Sequence, residues 1–344
     1  MAVEVFDHGR IGEEPVRGFR LSGPEMTLTL SEYGARILSL DVPDRQGSFG
    51  DVVLGHDTLA GHTADKAYFG ATCGRFANRI AAARFPLDGR VVRLSANEAP
   101  NHLHGGQSGF DKKIWRGEAE ADGLGVRFSL VSPDGEEGYP GRLTTRVAYR
   151  ITGSQLLIEM RAETDGPTVV NLVNHAYWNL SAGRSPTIAD HILSVDADRY
   201  LPVGDGQIPT GEQRAVEGTP FDLRSPCRIG DGLARLAAAG DNIGFDHALC
   251  LRGDGLRFAA RLFDPLSGRG LDLSTDQPAL QVYAGGKLGP SITGKGGRKI
   301  ATFGALCLET EAYPDAPNAA QFPSARLDPG EIYLHRMAFR FFAA

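Results

Sequence analysis

The sequence predicts an all-β protein, a large antiparallel β-sandwich, on three observations. Apolar and polar residues alternate along many short stretches, turn-forming residues stand between those stretches, and only one stretch carries a helical pattern. Length alone allows about two domains for 344 residues, but a single large β domain also reaches this size. No repeat, low-complexity tract or linker divides the chain, so one domain over residues 1–344 is expected.

Taken in order, Met26, Leu28 and Leu30 alternate with Thr27, Thr29 and Ser31. Asp88-Gly89 marks a hairpin turn before Val91-Val92. Leu156, Ile158 and Met160 alternate with Leu157 and Glu159, and residues 232–239 carry the one helical pattern. Turn residues between Asp264 and Gly270 precede Leu271-Asp272-Leu273, and Tyr333, His335, Met337, Phe339 and Phe341 share one face of a final strand. A period of two is the mark of a half-buried strand. Strands this short and numerous need two packed sheets to bury one face each. The 44 glycines and 20 prolines that punctuate the chain agree with frequent turns.

Charge and composition exclude several classes of function. A net charge of −6 disfavours nucleic-acid and anionic-membrane partners, both of which select a basic face. No apolar run approaches the roughly 20 residues that span a bilayer. Residues 1–20 scatter charges of both signs and lack the apolar core of a secretion signal. The four cysteines, Cys73, Cys227, Cys250 and Cys307, are far apart and form no CxxC pair. That pattern fits free thiols in a reducing, cytoplasmic setting, without a zinc site.

Chemistry concentrates in six polar segments: Gly74-Arg75-Phe76-Ala77-Asn78-Arg79-Ile80, Asn101-His102-Leu103-His104-Gly105-Gly106, the stretch from Asn171 to Leu180, Gly244-Phe245-Asp246-His247, Leu280-Gln281-Val282-Tyr283, and Leu306-Cys307-Leu308-Glu309-Thr310-Glu311. If the third is one strand, His175 shares a face with Asn171, Val173, Tyr177 and Asn179. In the last, Leu306 and Leu308 face one side while Cys307, Glu309 and Glu311 face the other. An imidazole and two carboxylates on strand faces are costly to bury without partners or purpose, and general acid–base catalysis uses such groups. Singly, each has an ordinary explanation. His175 could be a satisfied core histidine, Glu309 and Glu311 a solvated strand face, Asn78-Arg79 a loop held by an ion pair, and His102 and His104 local turn packing. Gln281 alone says almost nothing. Gly289-Pro290-Ser291-Ile292-Thr293-Gly294-Lys295 imitates a phosphate-binding loop, but Gly296 follows where a hydroxyl is needed, and no helical pattern comes after.

Together and in this order, the segments resemble the aldose 1-epimerase (galactose mutarotase) family. Ala77-Asn78-Arg79-Ile80, Leu103-His104-Gly105-Gly106, the loop from Ser132 to Gly141, the Asn-His-aromatic stretch from Asn174 to Leu180, Phe245-Asp246-His247, Gln281, Thr293-Gly294-Lys295-Gly296-Gly297, Cys307-Leu308-Glu309-Thr310 and Pro314-Asp315-Ala316-Pro317-Asn318 all match its motifs. The match runs from about residue 20 to the end. The resemblance implies a wide galactose mutarotase-like β-supersandwich with an open sugar-binding cleft, and interconversion of the α and β anomers of a free hexose of galactose or glucose type. By position in the motifs it makes Glu309 the general base and His175 the general acid. It gives Asn78, Arg79, His104, Asp246 and Gln281 the sugar hydroxyls. Only the resemblance chooses His104 over His102. The Ser132 to Gly141 loop is expected near the sugar, with Tyr139 or Trp178 a possible stacking platform. Glu311 stands where the family often has Gln, Ala312 where it often has His, and Ala248 where Asn is usual; these departures bear on sugar preference and pH dependence.

The implied reaction needs two proton transfers and no metal, nucleotide or other cofactor. An ionised Glu309 takes the C1 hydroxyl proton while an imidazolium His175 protonates the ring oxygen, which gives a bell-shaped pH profile with its acid limb on Glu309 and its alkaline limb on His175. His104 is a candidate donor to the carbonyl oxygen, and the fork of Arg79 suits paired hydroxyls. The expected partner is a small-molecule sugar, with monomer or homodimer left open. The rivals are a hexose-phosphate epimerase using Lys295, Arg298 and Lys299, a carbohydrate-binding or sensor protein without turnover, and a glycoside hydrolase using Glu309 and Asp246.

Overall fold

The alternating stretches pair as antiparallel strands in three large sheets across residues 3–344, the part of the chain described in this computed structural model. Five strands, from Val3–Ile11 to Phe49–Asp51, form the first sheet in chain order. Nine form the second, centred on Leu143–Thr152, Gln155–Thr164, Tyr333–Ala343 and Arg269–Thr275. The third has six, in the order Tyr177–Trp178, Leu306–Glu311, Ala279–Tyr283, Asp246–Leu251, Ala197–Tyr200 and Arg214–Ala215.

Burial follows the period-2 pattern. Leu28 and Leu30 of the first sheet, Ile158, Met160, Phe339 and Phe341 of the second, and Leu280, Val282, Leu306 and Leu308 of the third join one apolar cluster. His335, on the buried face of the last strand, is a satisfied core histidine: its Nε2 lies 2.7 Å from Thr310 Oγ1 and its Nδ1 2.9 Å from the Leu172 carbonyl. It thereby ties the second sheet to the third.

The turns do what their residues allow. Asp88 and Gly89 both have positive φ, 49° and 72°, the mirror-image geometry that matches strand twist in a two-residue hairpin. Asp264 accepts hydrogen bonds from the Leu266 and Ser267 amides and shapes the turn into Arg269–Thr275. The expected helix forms as Ile229–Ala238. A second, Leu59–Ala64, went unforeseen: its six residues are too few to show a period, although Thr58 caps it through the Gly61 amide. Among the described residues, no helix is long and apolar enough to cross a membrane.

One element is corrected. The stretch from residue 171 to 180 is not one strand but two short ones, Val173–Asn174 and Tyr177–Trp178, paired with different partners. His175 sits in the break, its amide bonded to the Ala71 carbonyl and its carbonyl to the Gly70 amide. The chain crosses here from one local ladder to another, which alternation alone does not reveal.

Leu308→Ala should remove about 2–5 kcal/mol of stability, because it leaves a cavity between the sheets. Urea unfolding followed by tryptophan fluorescence measures it; a loss under ~1 kcal/mol would contradict the packing described.

Candidate active site

Because Leu306 and Leu308 enter the core, Cys307, Glu309 and Glu311 must take the other face of their strand, and all three are buried there. The neighbouring strand sets Gln281 opposite Glu309, and the next sets Ala248 opposite Gln281 and Asp246 opposite Tyr283. Gln281 Nε2 donates to Asp246 Oδ1 at 2.7 Å. Over this face lies a cavity of about 710 Å³, lined by Glu309, Gln281, Asp246, His175, His104, Asn78 and Arg79. All seven residues singled out in the sequence are therefore brought together.

His175 Nε2 lies 3.7 Å from Glu309 Oε2, and its Nδ1 lies 3.5 Å from Cys307 Sγ. The ring stacks against Tyr177 at 5.0 Å and Tyr68 at 5.8 Å between centroids, with Tyr283 edge-on at 6.5 Å. An imidazole among three phenol rings is poorly solvated. Burial accordingly lowers its pKa to about 4. Glu309 is moved the other way, well above the usual carboxylate range, by burial first and then by Glu311 and Asp246, with Arg79 opposing. Both members of the pair thus favour their neutral forms and hold one proton between them, on the carboxyl. The ionised Glu309 and imidazolium His175 of the expected first step are thus the less favoured tautomer of the buried pair.

His104 is positioned by backbone geometry. It and Asn78 both have positive φ, 48° and 59°, and the Asn78 amide donates to His104 Nδ1 at 3.2 Å. Burial holds the His104 ring neutral, so its own proton is on Nε2. Gly105 follows because nothing larger fits: a Cβ there would lie 1.8 Å from the Gly74 carbonyl oxygen. His104, His175 and Glu309 place donor atoms within 4.8 Å of one another, close enough to consider a metal. The set suits one poorly, because His104 presents an N–H where a ligand needs a lone pair. His102 has both nitrogens engaged elsewhere, by the Ser95 carbonyl and the Tyr139 hydroxyl, each at 2.7 Å.

The remaining expectations fare differently. The fork of Arg79 is turned onto Glu98, with Nε at 2.6 Å and Nη2 at 3.0 Å, leaving Nη1 as its remaining corner. Tyr139 is buried against His102 and Arg75, and Trp178 against Phe339 and Phe341, so neither can stack on a sugar in the cavity. The Ser132 to Gly141 loop does not line the cavity; its Glu137 instead accepts from the Gln107 and Ser108 amides and from Ser95, bracing the segment after His104. Lys295 pairs with Asp51 at 2.6 Å and the Gly296 amide donates to Asp57, so carboxylates stand where a phosphate-binding loop would hold its anion. Sequence reasoning missed Tyr68, Tyr283, Glu98 and Lys287 as lining residues. Tyr283 was legible by its period from Gln281; Tyr68, at φ 61° in a loop, carried no signal.

Comparison with known proteins adds the following. A family model described as aldose 1-epimerase matches residues 18–340. The galactose mutarotase of Bos taurus is 44% identical over 99% of this chain and 98% of its own, and the aldose 1-epimerase of Escherichia coli (strain K12) is 38% identical over 92% of each. The crystal structure of an aldose epimerase homologue from C. elegans superposes with a TM-score of 0.88 at 32% identity, covering 94% of this chain and 98% of that one.

The environment of His175 is open to direct measurement. Its ring nitrogens should keep neutral-imidazole NMR shifts at pH 5.5, where a solvated histidine is about 90% protonated, and change only near pH 4. A midpoint near 6.5, assigned against His175→Asn, would mean that the ring is in water.

Proposed function

This chain belongs to the aldose 1-epimerase family and interconverts the anomers of aldoses, and from that premise we propose that Glu309 and His175 carry its two proton transfers. The observation that supports this most is the pair itself: an acid and a base, both buried, 3.7 Å apart and facing one cavity with hydrogen-bonding neighbours. In a pyranose the anomeric hydroxyl and the ring oxygen flank a single carbon. Adjacent groups can therefore serve both at once.

Ring opening proceeds from the tautomer in which the shared proton has passed from Glu309 to His175: Glu309 takes the proton of the C1 hydroxyl while His175 gives one to the ring oxygen and the C1–O5 bond breaks. The aldehyde that results leaves a carboxylic acid beside a neutral imidazole. Those are the states that burial favours, so the open-chain stage is the one the pocket stabilises electrostatically. After rotation about C1–C2, His175 removes the proton of the C5 hydroxyl and Glu309 returns one to the carbonyl oxygen, closing the ring with the opposite anomer. The two groups need no net proton from solvent. The Nε2–H of His104 suits the carbonyl oxygen as it gains charge. Asp246, bonded to Gln281, suits sugar hydroxyls as an acceptor, while Asn78 and the free corner of Arg79 suit them as donors. A hexose of galactose or glucose type is the proposed substrate.

One apolar cluster drawn from all three large sheets supports reading the chain as a single domain. Four unpaired thiols, three of them buried, support a reducing, cytoplasmic setting.

Polarimetry on freshly dissolved α-D-galactose and α-D-glucose tests the assignment. Glu309→Gln and His175→Asn should each lower kcat by about 10²–10⁴-fold with the fold intact; near-normal turnover in either would remove that residue from the mechanism. The pH profile should be bell-shaped with the limbs exchanged from the simplest scheme. Activity is lost on acidification near pH 4, where the imidazole gains a second proton for the pair, and lost in alkali where the carboxyl gives up the shared one. An acid limb that titrates near the ordinary glutamate range, about 4.3, and an alkaline limb near 6.5 would restore the solvated reading only if the NMR midpoint of His175 also lies near 6.5.

A further inference from the structure

Glu311 is fully buried, two residues from Glu309 on the same face of the same strand, and does not line the cavity. No cation lies within ion-pairing distance of it among the described residues. Instead, Asn78 Nδ2 donates to one of its oxygens at 3.1 Å and Asn171 Nδ2 to the other at 3.3 Å. Each amide is engaged at its other end as well. Asn78 Oδ1 accepts from the Arg79 amide, and Asn171 Oδ1 accepts from the Ala312 amide. The left-handed turn at Asn78, whose backbone amide fixes His104, is thus pinned from behind by this carboxyl.

We propose that Glu311 is a positioning residue for anomer interconversion: its carboxyl holds the Asn78 turn that orients His104, and its negative charge acts on Glu309 from two residues away. This rests on the role proposed for Glu309. The charged and titratable groups around Glu311 are Glu309 on its own strand, Asp246 from the strand Asp246–Leu251, Arg79 from the Asn78 turn, and Tyr333 from the last strand. Two carboxylates against one guanidinium already engaged by Glu98 make the pocket acidic. Burial raises the Glu311 carboxyl to about 8, against the pull of its two amide donors and with Asp246 adding to the rise. In the alkaline range Glu311 is therefore charged, and that charge resists ionisation of Glu309.

The sign follows directly. Removing a neighbouring negative charge makes Glu309 lose its proton more readily, so the alkaline limb of kcat/KM moves to lower pH. In Glu311→Gln, which keeps the size and one acceptor, the limb should fall by about one pH unit. The acid limb, which belongs to His175, should stay. Glu311→Ala should show the same shift together with a kcat loss of about tenfold or more at the pH optimum, as the Asn78 turn loses its anchor and His104 its orientation. Asn171→Ala removes one amide donor from the carboxyl without touching the cavity, so Glu311 charges later and the limb again moves down, by less. This variant serves if Glu311→Gln does not fold. An alkaline limb that stays at the wild-type position in a folded Glu311→Gln or Asn171→Ala, with any activity loss uniform in pH, overturns the proposal and leaves Glu311 a packing residue. Failure of the underlying reading looks different: Glu309→Gln would then retain turnover.

Discussion

The geometry of one strand governs the rest of the site. Leu306 and Leu308 are drawn into the apolar cluster that joins the three sheets, and a strand must send its alternate residues the other way. Glu309 and Glu311 are therefore forced onto the same, opposite face of the strand, where Glu309 meets the cavity and Glu311 is buried behind it. A slip of one residue would put carboxylates into the apolar core and leucines onto the polar, cavity-side face, so the hydrophobic pattern fixes register and site together. Cross-strand pairing then brings Gln281 opposite Glu309, with Asp246 held to Gln281 by a hydrogen bond. The stability of the core and the placement of the proposed base are one constraint.

Burial has a chemical consequence. His175, enclosed by Tyr68, Tyr177 and Tyr283, resists a positive charge, and Glu309, buried beside the carboxyl groups of Glu311 and Asp246, resists a negative one. A solvated glutamate and histidine would share protons the other way round, as an ion pair. Here the low-dielectric pocket favours the neutral acid and the neutral imidazole over the ion pair. The open-chain sugar and the closed ring are then met by the same two groups in exchanged protonation states.

Backbone conformation supplies the remaining precision. Asn78 and His104, both left-handed, meet through an amide-to-imidazole hydrogen bond that decides which ring nitrogen carries the proton. Such conformations persist where surrounding contacts over-determine them. Here those contacts are Glu311 behind Asn78, the close approach of Gly105 to Gly74, and Glu137 gripping the amides that follow.

The sequence by itself determined what depends on local pattern. Period-2 alternation marked the strands and the two faces of residues 306–311, Asp88-Gly89 announced its turn, and the motif order gathered Asn78, Arg79, His104, His175, Asp246, Gln281 and Glu309. The strand and turn signals lie within a few residues of one another, and strand geometry converts them to a face without any knowledge of distant chain, whereas only the family resemblance gathered the seven site residues. What only tertiary structure decided is what distant chain does to those residues. The break at His175, the enclosure of its ring by Tyr68, the turning of Arg79 onto Glu98, the withdrawal of Tyr139 behind His102, and the exchange of protonation states between Glu309 and His175 all arise from contacts between segments far apart in the chain. A carboxylate's proton affinity is set by the solvent it loses and the charges it gains, and both are properties of the packed molecule rather than of its neighbours in sequence.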